Sequence, residues 1–201
     1  MIHIFKKGND ESKPTLLLLH GTGGNERDLF PLAERIDPNA NVLSVRGNVV
    51  ENGMPRFFRR LAEGVFDIED LIKRTEELNE FLNEAADQYG FDRDHILAIG
   101  YSNGANIAGS LLFHYQDALK GAILHHPMVP RRGIALPDLT GKKIFIAAGK
   151  NDPICSQEES VELKDFFEGA GAKVEMFWEN HGHMLTYREL EAAKTWYDQI
   201  Y

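Results

Sequence analysis

His95-Ile-Leu-Ala-Ile-Gly-Tyr-Ser-Asn-Gly104 is the stretch whose reading decides the fold. Its first half is a short apolar run of strand-forming residues. Its second half, Gly100-Tyr101-Ser102-Asn103-Gly104, matches Gly-x-Ser-x-Gly. Beyond it, Ile107 and Leu111 sit at helical spacing. A serine between a strand and a helix lies on a sharp, strained turn that exposes its hydroxyl. Glycines two positions to either side let the helix start close to the strand, and the helix N-terminus favours developing negative charge. Five residues alone also fit an ordinary turn serine; the flanking strand and helix favour a nucleophile.

Outward from this turn, short β-rich runs alternate with amphipathic stretches. Strands are predicted at Ile2–Phe5, Thr15–His20, Asn41–Val45, His95–Tyr101, Gly121–His126, Lys142–Gly149 and Lys173–Trp178. Leu16–Leu19 and Ile144–Ala148 are apolar at every position, as strands buried on both faces should be. A helix capped by Asp67 is predicted to run to Tyr89, with Gly90 closing it. Ser156 with Glu159, and Thr186 with Glu189, read as capping boxes before two later helices. Weaker helical patterns cover Arg27–Ile36 and Asn103–Tyr115. This alternation predicts one α/β domain over residues 1–201: a mostly parallel sheet of about seven strands with helices on both faces. Only a short segment separates His126 from Lys142, so no large cap domain is expected.

Sites in such sheets lie beyond the carboxyl ends of the strands. A serine needs a base, usually histidine, and a carboxylate to orient it. The next strand ends supply both. Lys150-Asn151-Asp152-Pro153 follows one, and Glu179-Asn180-His181-Gly182-His183 follows another. Asn-Asp-Pro is also good turn chemistry, but Asp152 stands in the Ser–Asp–His order of α/β-hydrolases. Glu158 and Glu159 are fallback carboxylates. His181 and His183 compete as base; His20, His125 and His126 read as structural or pocket-lining. The oxyanion of an acyl transfer needs N–H donors. One is expected from Asn103. The other is assigned to Thr22, in the glycine-rich loop His20-Gly-Thr-Gly-Gly-Asn25. That loop lacks the Gly-Lys-Ser/Thr end of a phosphate-binding P-loop.

Together these segments resemble the phospholipase/carboxylesterase branch of the α/β-hydrolases, which includes acyl-protein thioesterases and small bacterial carboxylesterases. Leu19-His-Gly-Thr-Gly-Gly-Asn25 is similar to its oxyanion loop, Gly100–Gly104 to its nucleophile elbow, Gly149-Lys-Asn-Asp-Pro-Ile154 to its acid segment and Gly182-His183 to its base segment. The resemblance spans almost the whole chain. It implies the α/β-hydrolase fold, Ser102, Asp152 and His183 as triad, esterase activity without metal or cofactor, and, by analogy alone, a homodimer. Human-type thioesterases carry Gly-Phe-Ser-Gln-Gly, whereas Tyr101 and Asn103 match bacterial members and point away from long-acyl protein substrates. Dienelactone hydrolases place cysteine at the elbow; Cys155 lies elsewhere.

The long connection Arg46–Phe66 holds Arg46, Arg56, Phe57, Phe58, Arg59, Arg60 and Phe66. Long connections are often functional, so Arg46, Arg56, Phe57 and Phe58 are expected to line the pocket, with an arginine on a substrate carboxylate. Surface pairing of these arginines with Glu51, Glu63 and Asp67 is the competing reading. The 201 residues carry a net charge of −9, which disfavours nucleic acid and anionic lipid as partners. One cysteine, no signal-like N-terminus and no membrane-length apolar run fit a cytoplasmic protein without stable membrane insertion. The expected activity is hydrolysis of small carboxylic esters through an acyl-enzyme on Ser102. A thioesterase or lysophospholipase for longer acyl chains is the alternative, and a non-catalytic binder keeping the fold is the third reading.

Overall fold

Leu16, Leu17, Leu18 and Leu19 have no solvent-exposed surface, and they divide between two cores. Leu17 and Leu19 join Ala98, Leu71, Leu78 and Ile107 on one side; Leu16 and Leu18 join Leu97, Ala33 and Trp196 on the other. Alternate side chains of a strand point to opposite faces, so this division requires a sheet covered twice. Each such leucine contributes about 1.5–3 kcal/mol of burial free energy.

The computed structural model describes all residues, Met1–Tyr201. The main sheet contains β1 (His3–Lys6), β2 (Thr15–Leu19), β3 (Val42–Val45), β8 (Ile96–Tyr101), β9 (Gly121–His125), β10 (Lys143–Gly149) and β11 (Lys173–Glu179). Its order is β1-β3-β2-β8-β9-β10-β11, and only β1 runs antiparallel to its neighbour. All seven predicted strands are present, with ends shifted by a residue or so.

Helices α2 (Ile68–Tyr89), α3 (Asn103–His114) and α4 (Gln157–Gly169) cover one face; α1 (Phe30–Ile36) and α5 (Tyr187–Asp198) cover the other. The Asp67 carboxylate accepts from the Asp70 N–H at 3.1 Å, and Gly90 closes α2 in the left-handed region at φ 72°. Helix α1 begins at Phe30 rather than Arg27, with Pro31 in its first turn, where proline's missing N–H costs no helical bond. Both expected capping boxes form on the hydroxyl side only. Ser156 and Thr186 accept the Glu159 and Glu189 N–H groups, but the two glutamate side chains point elsewhere.

The connection read as a long loop is built of two hairpins. The first pairs β4 (Val49–Glu51) with β5 (Met54–Arg56); the second pairs β6 (Arg60–Ala62) with β7 (Val65–Phe66). Asn52 and Gly53 both have positive φ between β4 and β5, the geometry that a two-residue hairpin turn needs to match strand twist. No helix or strand lies between His126 and Lys142, so no large cap covers the strand ends.

Candidate active site

The elbow can form because its glycines carry no Cβ. A Cβ on Gly100 would lie 2.7 Å from the Ala105 backbone, and one on Gly104 would lie 1.9 Å from the Leu19 carbonyl oxygen. Helix α3 is thereby drawn against β2 and β8. Between these glycines Ser102 adopts φ 51°, ψ −114°, a conformation that costs about 1–3 kcal/mol for a residue with a Cβ. Its N–H donates to the His125 carbonyl at 2.9 Å and its carbonyl accepts from Asn106 at 2.9 Å. The backbone is held on both sides, leaving the hydroxyl directed into a cleft.

Three side chains distant in sequence meet there. The Ser102 hydroxyl lies 2.8 Å from His183 Nε2, and His183 Nδ1 lies 2.7 Å from Asp152 Oδ2. A carboxylate only accepts, so Nδ1 carries the proton and Nε2 presents its lone pair to the hydroxyl. Asp152 Oδ1 also accepts the Ile154 and Cys155 N–H groups at 2.8 and 3.0 Å. Burial opposes the charge on Asp152. The two backbone donors and the His183 ring outweigh it, holding the carboxyl below its ordinary value.

The loops after β10 and β11 are locked together by glycine. A Cβ on Gly149 would lie 2.1 Å from the Gly182 carbonyl oxygen, and the Gly182 N–H donates to Asn151 Oδ1 at 2.9 Å. Tyr101, the elbow residue before the serine, donates its hydroxyl to the His183 carbonyl at 2.7 Å. His181, the competing base, is half exposed with its Nδ1 3.2 Å from Glu179 and makes no bond to Ser102.

The N–H groups of Thr22 and Asn103 both border the cleft, and neither has an acceptor within the protein. A strap of three consecutive residues, Pro55-Arg56-Phe57, holds both loops in place. The Pro55 carbonyl accepts from the Gly23 N–H at 2.9 Å. Arg56 Nη1 donates to Thr22 Oγ1 at 2.6 Å, and the Phe57 N–H donates to Asn103 Oδ1 at 2.7 Å. His20 adds a further tie: its Nδ1 donates to the Gly21 carbonyl at 2.6 Å and its Nε2 accepts the Gly47 N–H at 3.0 Å. Asn103 Nδ2 is buried beside the cleft without a partner.

The cleft has a volume of about 230 Å³. Among its walls are Arg56, Arg60, Glu63, Phe66, Asn106 and Met128. Of the four residues expected in the Arg46–Phe66 segment, Arg56 alone borders it. Arg46 instead forms a two-pronged pair with Glu26, one contact being 2.8 Å. Phe57 and Phe58 are fully buried in the core beneath. Both lie in the short link between the two hairpins, where the chain turns inward and both rings pack into the same core cluster. Arg60, named in the same connection, lines the cleft and pairs with Glu51 at 3.1 Å, as the competing reading of these arginines expects; Arg56 approaches the same carboxylate at 3.4 Å.

His126, expected as a structural or pocket-lining residue, borders the cleft, whereas Glu189, expected only in a helix cap, was missed as a site residue. His126, at φ 54°, places Nδ1 3.0 Å from Asp152 Oδ2 and Nε2 3.0 Å from Glu189 Oε1. His125 Nδ1 lies 3.2 Å from Glu189 Oε2. The Glu189 side chain runs inward from the first turn of α5 and is wholly buried; the capping pattern identified its backbone role and concealed this one. His126, Asp152 and His183 bring metal-ligating atoms within 4.8 Å of one another. Both Nδ1 atoms, however, face the Asp152 carboxylate as proton donors, which occupies the lone pairs a cation would need.

The chain matches the phospholipase/carboxylesterase family over residues 2–200. It is 71% identical to a Bacillus cereus carboxylesterase of known structure, covering 99% of this chain and 94% of that one with a TM-score of 0.98. MhqD of Bacillus subtilis (strain 168), which carries a provisional hydrolase name, is 58% identical over 199 residues, 99% of this chain and 98% of that protein. YahD, solved with malic acid, is 33% identical over 100% of this chain and 99% of its own, with a TM-score of 0.95. This chain therefore belongs to the phospholipase/carboxylesterase family of α/β-hydrolases.

Proposed function

We propose that the protein hydrolyses small carboxylic esters through an acyl-enzyme on Ser102. One observation carries the reading: Ser102, His183 and Asp152 stand in line at 2.8 and 2.7 Å beside two unpaired backbone N–H groups. In the first half-reaction His183 Nε2 takes the Ser102 proton as Oγ bonds to the ester carbonyl carbon. The carbonyl oxygen gains the negative charge and is met by the Thr22 and Asn103 N–H donors, each worth about 3 kcal/mol in such sites. Asp152 holds the imidazolium by its Nδ1–H. His183 then protonates the leaving alkoxide, and the acyl group stays on Ser102. Water repeats the sequence and frees the carboxylic acid.

The cleft's 230 Å³ falls below the size that accommodates drug-sized ligands, about 300–1,000 Å³, and favours short acyl and alcohol groups. Arg56 and Arg60 make a substrate carboxylate the preferred charged substituent, with the unpaired Asn103 Nδ2 as a further donor. The malic acid bound to YahD is a small carboxylate of the same kind. A longer acyl chain, the alternative reading, has an exit: Phe66 and Met128 also line an adjoining groove with Val65, Ile68, Val129 and Pro130. Cytoplasmic residence fits the single buried thiol of Cys155, and no helix is long and apolar enough to cross a membrane. Homodimer formation rests on family analogy.

A panel of p-nitrophenyl esters of rising acyl length, with neutral and carboxylate-bearing members and matched thioesters, tests the reading. The highest kcat/KM is expected on short oxygen esters, with a carboxylate improving KM. Activity rising steadily towards long acyl thioesters would replace this reading with the alternative, and no turnover of any ester would end it.

A further inference from the structure

We infer that His126 and Glu189 are positioning residues for the catalytic pair: a doubly donating imidazolium is clamped between the buried Asp152 and Glu189 carboxylates and sets the charge that His183 meets. The inference rests on the triad reading above.

Both His126 nitrogens lie 3.0 Å from carboxylate oxygens. A carboxylate offers only lone pairs, and a neutral imidazole has one N–H. Two contacts therefore require two protons on the ring, or a protonated carboxyl donating to it. The surroundings decide between these. Glu189 also accepts from His125 Nδ1 at 3.2 Å, and Asp152 already accepts from His183 and two backbone N–H groups. Each carboxylate is thus surrounded by donors, which stabilise its ionised form. His125 leaves its own Nε2 without a partner while donating to Glu189. Burial disfavours charge on His126, but the Glu189 and Asp152 carboxylates outweigh it and raise its proton affinity above the ordinary histidine value. Glu189 moves the opposite way: burial raises it, but His125 and His126 bring it below its usual value.

The groups facing His126 are few and all named. Its own strand supplies His125, β8 supplies Tyr101, the loop after β10 supplies Asp152, the loop before α5 supplies His183, and α5 supplies Glu189. The His126 and His183 ring centres are 5.1 Å apart. A positive His126 at that distance partly offsets the pull of Asp152 on a proton at His183. Glu189 lies on the far side of the His126 ring, so its negative charge acts on His183 more weakly.

Glu189→Gln separates this role from mere support. The amide keeps the shape and donates to Nε2, so His126 then needs only one proton, at Nδ1 toward Asp152. The near positive charge disappears with the far negative one. The acid limb of kcat/KM against pH, measured on a short ester, is expected to move up by about one pH unit. An acid limb that stays in place or moves down overturns the inference, whatever the loss in rate. Nitrogen-15 and proton NMR of the imidazoles in the unaltered enzyme at pH 7 gives a second reading that does not depend on how the variant folds. Protons on both His126 nitrogens are expected; a single ring N–H overturns the inference. Failure of the triad reading would look different, with no ester turnover and no acylation of Ser102 in the unaltered enzyme.

Discussion

Replacing Gly104 with alanine adds one methyl group at the tightest backbone approach in the site. The new Cβ would lie 1.9 Å from the Leu19 oxygen and 2.6 Å from the His20 oxygen. Cβ atoms essentially never come within 3.0 Å of such atoms, so α3 and the end of β2 must part by roughly an ångström. Neither partner is a flexible side chain. The elbow carries Ser102 and the Asn103 N–H, and the end of β2 leads into the Thr22 loop. The displacement therefore separates the Ser102 hydroxyl from the Thr22 N–H, the proposed oxyanion donor. Overpacking of this kind costs about 1–3 kcal/mol of stability, which a domain of this size survives. A misplacement of about 1 Å at the reacting centre costs roughly 100-fold in rate. The expected outcome is a folded protein with a modestly lowered melting temperature and kcat on a short p-nitrophenyl ester reduced by about 100-fold or more. Circular dichroism and thermal melting beside steady-state kinetics measure both. A variant that melts normally and retains more than about a third of kcat would refute the claim that this contact sets the elbow against the oxyanion loop.

Arg56→Lys keeps the positive charge but loses the planar fork that reaches Thr22 Oγ1 and the Phe58 carbonyl. Stability is expected to fall by about 2–3 kcal/mol in urea melts, with kcat reduced because the Thr22 N–H is less firmly held. Acid should weaken the fold through Asp152 and Glu189, whose carboxyls sit below their ordinary values. A lowered folded-state value contributes stability above the unfolded value and loses it as pH falls through the folded one. Melting temperature is therefore expected to drop as pH goes below about 4, and Asp152→Asn should flatten that drop. An identical acid dependence in the variant would remove Asp152 from the explanation.

Much of the fold was legible because its strongest signals are local. Leu16–Leu19 and Ile144–Ala148 can satisfy their apolar side chains only between two helical layers, and both lie on interior strands of the sheet. Gly100 and Gly104 around Ser102 announce a strand–turn–helix corner, because a Cβ at either glycine would strike backbone. The order of Asp152 and His183 along the chain placed both beyond the correct strand ends, within reach of Ser102. What escaped depends on long-range partners. Asn52-Gly53 between Val49-Val50 and Met54 is a hairpin signal in plain view, yet the charged residues around it suggested a loop. Arg46 was assigned to the pocket because nothing local shows that Glu26, twenty residues earlier, would take it. Glu189 is compatible with an exposed capping glutamate; only the return of α5 over β10 and β11 shows that it meets His125 and His126. Buried polar networks assembled from distant segments leave little periodic trace in a sequence.

The Ser102 hydroxyl, activated by His183, is the atom proposed to bond to the ester carbon. Treatment of the folded protein with a fluorophosphonate, followed by intact-mass and peptide mass spectrometry, addresses that atom directly. One adduct per chain is expected, on the peptide holding Ser102, with none in Ser102→Ala and sharply slowed labelling in His183→Ala. Retained ester hydrolysis with Ser102 unlabelled, or an adduct on another residue in the unaltered protein, would contradict it.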